Sequence, residues 1–221
     1  MTGQPPLPCR CDQDFEGLFD AREAEHDLNL WQRTGLPAPT RELVDVLRRS
    51  GIEGATVLDI GAGVGMVHLE LLESGAARAI DVDASSAYLS AARGEAERRG
   101  VLDRVEYRHG DVVGMAGTLP TTDLVALDRV ICCYPDLAAL LRATVAVNPR
   151  LIGLVHPSDA WWVRAPIALF NAAGRLLRRH HFFYVHRRAN LDRLLRGSGY
   201  REHHRGGRRF WKVTVYARSA A

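Results

Sequence analysis

At 221 residues, 47% apolar and 25% charged, the chain has the size and composition of one globular domain with a sizeable core. No apolar run reaches the ~18–20 residues of a spanning helix, and the N-terminal stretch MTGQPPLPCRCDQDF lacks the apolar core of a secretory signal, so a cytoplasmic location without membrane insertion is expected. The net charge of +3 conceals a split: residues 160–221 hold 14 Lys or Arg and two acids, Asp192 and Glu202, against 15 basic and 24 acidic residues before them. Such a split suits an anionic substrate, a nucleic acid or a membrane surface. The bland reading is an arginine-rich solvated face, in a chain with a single lysine.

In chain order, residues 1–12 hold three prolines and few apolar side chains and read as a disordered tail. Residues 13–50 read as a helical lid. Its first helix covers 14–32, with Phe15, Leu18, Phe19, Leu28, Leu30 and Trp31. Its second covers 41–49, capped by Thr40 and ended by Gly51. From residue 51 to 221 strands and helices alternate. Strands are expected at 57–60, 78–82, 105–109, 123–130 and 151–155, with helices between them. Ser85 or Ser86 caps the helix after the second strand, and Asp136 caps the one after the fourth. An apolar, aromatic, basic-ended insertion at 160–186 follows, then a helix at 190–195 and an antiparallel hairpin at 200–217. This alternation predicts a doubly wound α/β sheet with right-handed crossovers.

The cysteines form two tight pairs, Cys9/Cys11 and Cys132/Cys133, with no CxxC spacing, no second half of a zinc site and no disulfide framework. Cys132 and Cys133 lie in an apolar run and read as buried small hydrophobes. No metal site is expected.

Residues 56–71, TVLDIGAGVGMVHLEL, read as strand, glycine turn and helix. Gly61, Gly63 and Gly65 permit positive φ and a ligand close to the main chain, and the helix start offers free N–H groups. Met66 stands where the dinucleotide pattern G-x-G-x-x-G needs glycine. In an open α/β sheet ligands bind beyond the carboxyl ends of the strands. Asp59, Asp83, Asp111, Asp128 and His156 cluster there. A carboxylate about 20 residues past a glycine turn suits ribose hydroxyls. Asp83 has that spacing; Asp81 is the rival, placed within the strand. Asp111 suits an exocyclic amine.

Four segments in order, VLDIGAGVG, AIDVDAS, HGD and DLVALDRV, resemble class I S-adenosylmethionine-dependent methyltransferases over about residues 40–155. DRVICCYPD (128–136) and FYVHRRANLDRLL (183–195) also resemble a bacterial group related to magnesium-protoporphyrin O-methyltransferases. The resemblance implies a seven-stranded Rossmann-like sheet with its last strand antiparallel. It implies Asp59, Gly61, Gly63 and Gly65 around the methionine part of the cofactor, Asp83 with Ala84 at the ribose, and Asp111 with Val112 near the adenine. Asp128 and Arg129 fall near the sulfonium. Ser86 departs from the family, where proline often stands, as does Asp128, where His or Asn is frequent.

Methyl transfer needs alignment and exclusion of water, and a base only where the acceptor carries a proton. Candidates for that base are His156, Asp128, Tyr134, Tyr184 and His186. Trp161, Trp162 and Tyr184 suggest a large apolar or aromatic substrate, and Arg187 with Arg188 suggests a carboxylate or phosphate on it. The expected activity is methylation of oxygen, or nitrogen, of a small or medium organic molecule, by a monomer or homodimer, with S-adenosylhomocysteine as product. RNA methylation through the basic C-terminal quarter is a rival. The fourth strand lacks the Asn/Asp-Pro-Pro-aromatic signature for base amines, and no RNA-binding module is appended, so nucleic acid is not the expected partner. A non-catalytic protein that binds the cofactor or a membrane surface is the second rival.

Overall fold

Val57, Leu58 and Ile60 are buried on both faces of the first strand, and the sheet grows outward from it. The computed structural model describes residues 15–177 and 182–219. The tail expected at 1–12, with Cys9 and Cys11, lies outside them, as do His180 and His181 of the insertion. β1 (Thr56–Ile60), β2 (Arg78–Asp83), β3 (Val105–His109), β4 (Leu124–Asp128) and β5 (Leu151–Pro157) are parallel, while β6 (Tyr200–Gly207) and β7 (Trp211–Arg218) form a hairpin. The strand order is β3-β2-β1-β4-β5-β7-β6. β7 lies antiparallel between β5 and β6. The direction of winding reverses between β1 and β4, and that switch point is where such a sheet opens a crevice.

Among the described residues these helices flank the sheet: α1 (Ala21–Thr34), α2 (Ala38–Arg49), α3 (Met66–Glu73), α4 (Ser86–Arg98), α5 (Val112–Met115), α6 (Leu137–Ala146), α7 (Trp161–Leu176) and α8 (Arg188–Gly197). Two apolar layers result. Leu43 and Leu47 of α2 pack with Leu69 and Leu72 of α3 on one face, and Leu140 and Leu141 of α6 with Leu191 and Leu195 of α8 on the other. Among the described residues no helix is long and apolar enough to cross a membrane.

Several boundaries differ from expectation. The first lid helix breaks after Glu16, and α1 starts at Ala21, because the Asp20 carboxylate accepts from the N–H groups of Arg22 and Glu23 as a cap. α2 starts at Ala38 behind Pro37, so Thr40 is inside the helix and fully buried rather than a cap. β4 stops at Asp128 because Arg129 takes a φ of +62°.

Candidate functional site

The glycine loop turns sharply where β1 ends. The N–H of Gly61 donates to the Val82 carbonyl at 2.7 Å. Its φ is +60°, and a Cβ there would lie 2.7 Å from Cγ2 of Val130, so glycine is required twice over. Gly65 (φ +86°) stands as the left-handed N-cap of α3. Gly63 donates its N–H to Asp83 Oδ2, and Ser85 donates its N–H to Asp83 Oδ1, each at 2.9 Å. The carboxylate is thereby fixed by backbone at the tip of β2. Burial pushes it up to about 6, against the lowering effect of those two donors, with Asp59 adding to the rise. Of the two possible caps Ser85 caps α4, accepting from Tyr88 N–H at 3.2 Å.

Asp59 and Asp81 face inward. Asp59 is fully buried and accepts from both the N–H and Nδ1 of buried His68, at 3.2 and 3.0 Å. Its other oxygen, His68 Nε2 and both oxygens of Asp81 have no hydrogen-bond partner among the described residues. Asp59, Asp81 and Tyr107 pair in register across β1, β2 and β3, and the His68 ring meets Tyr107 edge-on. Burial, with Asp83 and Asp59 nearby, holds the Asp81 carboxyl well above the usual carboxylate range. Neither acid lines the crevice, so Asp59 reaches it only through the loop it anchors.

Gly61, Gly63, Asp83, Ala84, Asp111 and Val112 do line one cavity, with Asp128, Arg129 and Tyr134. Asp111 caps α5, accepting from Val113 N–H at 3.1 Å, and both its oxygens lie 3.0–3.1 Å from the Tyr134 hydroxyl, which donates to it. Burial and that carboxylate raise the Tyr134 hydroxyl above its ordinary value, so it keeps its proton. The roof comes from residues that sequence reasoning did not single out for the site: Phe15, Phe19 and Asp27. Phe15 stacks at a tilt on Phe19, which meets Tyr88 edge-on, and Tyr88 donates to Asp27 at 2.8 Å. Glu16 fastens this roof, accepting from Ser86 N–H at 3.0 Å and pairing with His109 at 2.9 Å. The signal for it in the sequence was the apolar pair at 15 and 19.

The far wall is the turn after β4. Buried Asp128 accepts from the Thr40 hydroxyl at 2.7 Å and from Arg129 Nε at 3.3 Å. Burial raises its carboxyl, opposed by Arg129 and Thr40. A non-glycine residue at positive φ costs about 1–2 kcal/mol, and Arg129 holds that conformation through its N–H to Val155 O (2.9 Å) and Cys132 Sγ on its own carbonyl (3.0 Å). Cys133 is not a fully buried hydrophobe: it is half-buried and lines the cavity, its Sγ 3.9 Å from that of Cys132.

The remaining candidates are not brought to this cavity. β5 runs on to Pro157, so His156 sits inside the strand opposite Lys212 rather than beyond its end. It is buried, its Nδ1–H donating to the Pro157 carbonyl at 3.0 Å with Thr214 Oγ1 3.3 Å from Nε2, and burial lowers its pKa. Tyr184 and His186 stack on each other behind the turn. They donate to the Cys132 and Tyr134 carbonyls, through the Tyr184 N–H at 2.7 Å and His186 Nε2 at 2.9 Å. Arg187 is exposed, and Arg188 is occupied by Asp192 and Glu202 at 3.1 and 2.9 Å. Trp161 is 78% exposed and Trp162 39%, on a helix that turns them outward.

Residues 57–148 match a family described as methyltransferase domain. The ribosomal protein L11 methyltransferase of Enterobacter sp. (strain 638) is 38% identical over 122 residues, 55% of this chain and 40% of that protein. The chain thus spans less than half the length of this curated relative. The magnesium protoporphyrin IX methyltransferase of Synechocystis PCC 6803, solved with S-adenosylmethionine bound, superposes with a TM-score of 0.70 at 16% identity, covering 98% of this chain and all of that one. An O-methyltransferase family protein of Burkholderia thailandensis superposes with a TM-score of 0.69 at 17% identity, over 94% of this chain and 63% of that one. The two structural likenesses carry the fold.

Proposed function

We propose that this chain, whose residues 57–148 match a family described as methyltransferase domain, is a class I S-adenosylmethionine-dependent methyltransferase that transfers the methyl group to an oxygen of a small or medium organic molecule, with nitrogen as the second choice of acceptor. The observation that carries this reading is one cavity that joins the glycine loop, the fixed Asp83 carboxylate and the Asp128–Tyr134 turn under an aromatic roof. Its donor set suits the cofactor: a carboxylate at the β2 tip for two hydroxyls, and apolar Ile60, Val82, Val112 and Leu140 beside it for a flat ring. When bound, S-adenosylmethionine supplies a methyl group activated on a sulfonium.

The chain's own residues have four tasks. Asp83, whose oxygens are already turned by Gly63 and Ser85, accepts from the ribose hydroxyls with its remaining lone pairs. Asp111 and Val112 border the adenine, Asp111 held in place by Tyr134. Phe15, Phe19 and Tyr88 exclude water, which strengthens every polar contact beneath them. At the acceptor end Asp128 is the carboxylate on the wall beside Arg129, so it is the group to take the acceptor's proton; Tyr134 is committed to Asp111 and His156 to the strand. The site therefore relies on alignment more than on a strong base.

Methyl-labelled S-adenosylmethionine tests the reading. The protein is incubated with separated small-molecule, lipid, RNA and protein fractions of a bacterial extract. Label in an extractable small molecule supports it. Label in RNA or protein overturns it in favour of a macromolecular substrate.

A further inference from the structure

We propose that the outer face of α7 docks on an anionic lipid bilayer. The helix has two apolar faces. One packs on the domain through Val163 and Gly174, its only buried residues. The other carries Trp161, Leu169 and Leu176, which are 78%, 73% and 85% exposed, with exposed Ala165 and Ala172 between them. Their spacing of i, i+4, i+8, i+11 and i+15 places them in one stripe along the helix. An ordinary surface helix presents charge there. Three large apolar side chains in line, on a helix too short to cross a membrane, are the pattern of a helix that lies in an interface.

Charge selects the occupant. Residues 160–186 contain no Asp or Glu. Arg164 and Arg175, three turns apart and both exposed, flank the stripe on one side. Arg209 lies over the Trp162 ring at 5.8 Å on the neighbouring hairpin. A second copy seated on this face by a two-fold axis would bring like arginines together. An anionic bilayer meets all of them with opposite charge, and each basic group near its surface adds to the attraction. Trp161 at the start of the helix is the residue type that favours the headgroup level. This inference stands apart from the methyl-transfer reading.

Co-sedimentation of the full chain with vesicles of phosphatidylcholine and phosphatidylglycerol, against phosphatidylcholine alone, tests it. The wild-type chain is expected to pellet with the mixed vesicles and to release as salt rises. The double variant Leu169→Ser/Leu176→Ser, altered at exposed positions only, should bind at least about tenfold more weakly, since both leucines lose their burial in the bilayer. Arg164→Gln/Arg175→Gln should lose the preference for phosphatidylglycerol, and circular dichroism checks that each variant is folded. No pelleting of the wild type, or equal pelleting of the leucine variant, overturns the proposal. So does a concentration-dependent dimer in light scattering that the leucine variant abolishes, since a second copy would then cover the face.

Discussion

The face at the carboxyl ends of the parallel strands is built in opposite ways at its two ends. At the tips of β1, β2 and β3 every polar group that faces the cavity is already held: Asp83 by two backbone N–H groups, Asp111 by Val113 N–H and Tyr134, and the roof by Glu16 across to Ser86 and His109. Beyond β5 the chain leaves the sheet, and α7 buries two residues of sixteen while its tryptophans stand outward. The first end is preorganised, so that little freedom is lost when a ligand of fixed shape arrives. The second is held more lightly, through Asn171 to the Phe183 backbone and Arg209 over the Trp162 ring, so its surface can vary without disturbing the core.

The largest expected effect tests the rigid end. Gly61→Ala places a Cβ 2.7 Å from Val130 and forces alanine to a φ of +60°. Strain of about 1–2 kcal/mol adds to overpacking of about 1–3 kcal/mol, and thermal unfolding should show both. A second change, Val130→Ala, should recover the steric part alone. Full recovery would mean that the loop relaxes and is not preorganised.

Asp83→Ala comes next. It strands the Gly63 and Ser85 donors and removes the proposed ribose acceptor, so calorimetry should show S-adenosylmethionine binding weakened by about 1–3 kcal/mol. The wild type should also bind more weakly below pH 6, because Asp83 titrates at about 6 and its protonated form accepts less well. Affinity flat from pH 5 to 8 (about the range in which a carboxylate so raised changes charge) would sink the ribose role.

These two residues also mark what the sequence made legible. Gly61 belongs to a contiguous strand–glycine–helix pattern and Asp83 follows it at the next strand end, and such patterns mark local geometry whatever packs around them. The doubly wound sheet followed from the alternation of elements and the reversed last strand from the family resemblance, and the structure agrees with both. Contacts far apart in sequence were invisible. Thr40 and Asp128 are 88 residues apart, and Thr40 looked like a cap because caps and buried hydroxyls share residue types. His156 looked terminal because the strand was ended two residues early; pairing with β7 extends it. Trp161 and Trp162 looked like substrate contacts because composition says nothing about which way a helix faces.

Thr40→Val probes the joint between the two ends. The change keeps the shape and removes the donor to buried Asp128, with an expected loss of about 1.5–3 kcal/mol for a bond to a charged acceptor. Thr40 lowers the Asp128 carboxyl, so its removal should move the acidic limb of any pH–rate profile upward. A stability loss with an unmoved limb would leave Asp128 as a structural acid and free the acceptor's proton to go directly to water.

Asp81→Asn is the smallest change and the one whose sign is least expected of a buried acid. Both Asp81 oxygens are without partners, and burial with Asp83 and Asp59 holds its carboxyl well above the ordinary range. The folded state therefore binds a proton that the unfolded chain has already released. Stability is lost as pH climbs from the ordinary carboxylate value through the raised one, and is flat beyond it. Asparagine cannot ionise, so it should match the wild type in acid and exceed it at neutral pH by about 1 kcal/mol, the low end for an unsatisfied buried group. Urea unfolding of both proteins along a pH series measures that difference. A variant less stable by the same amount at every pH would mean that the Asp81 carboxylate is ionised and solvated in the core, and that the register of Asp59, Asp81 and Tyr107 holds water under the glycine loop.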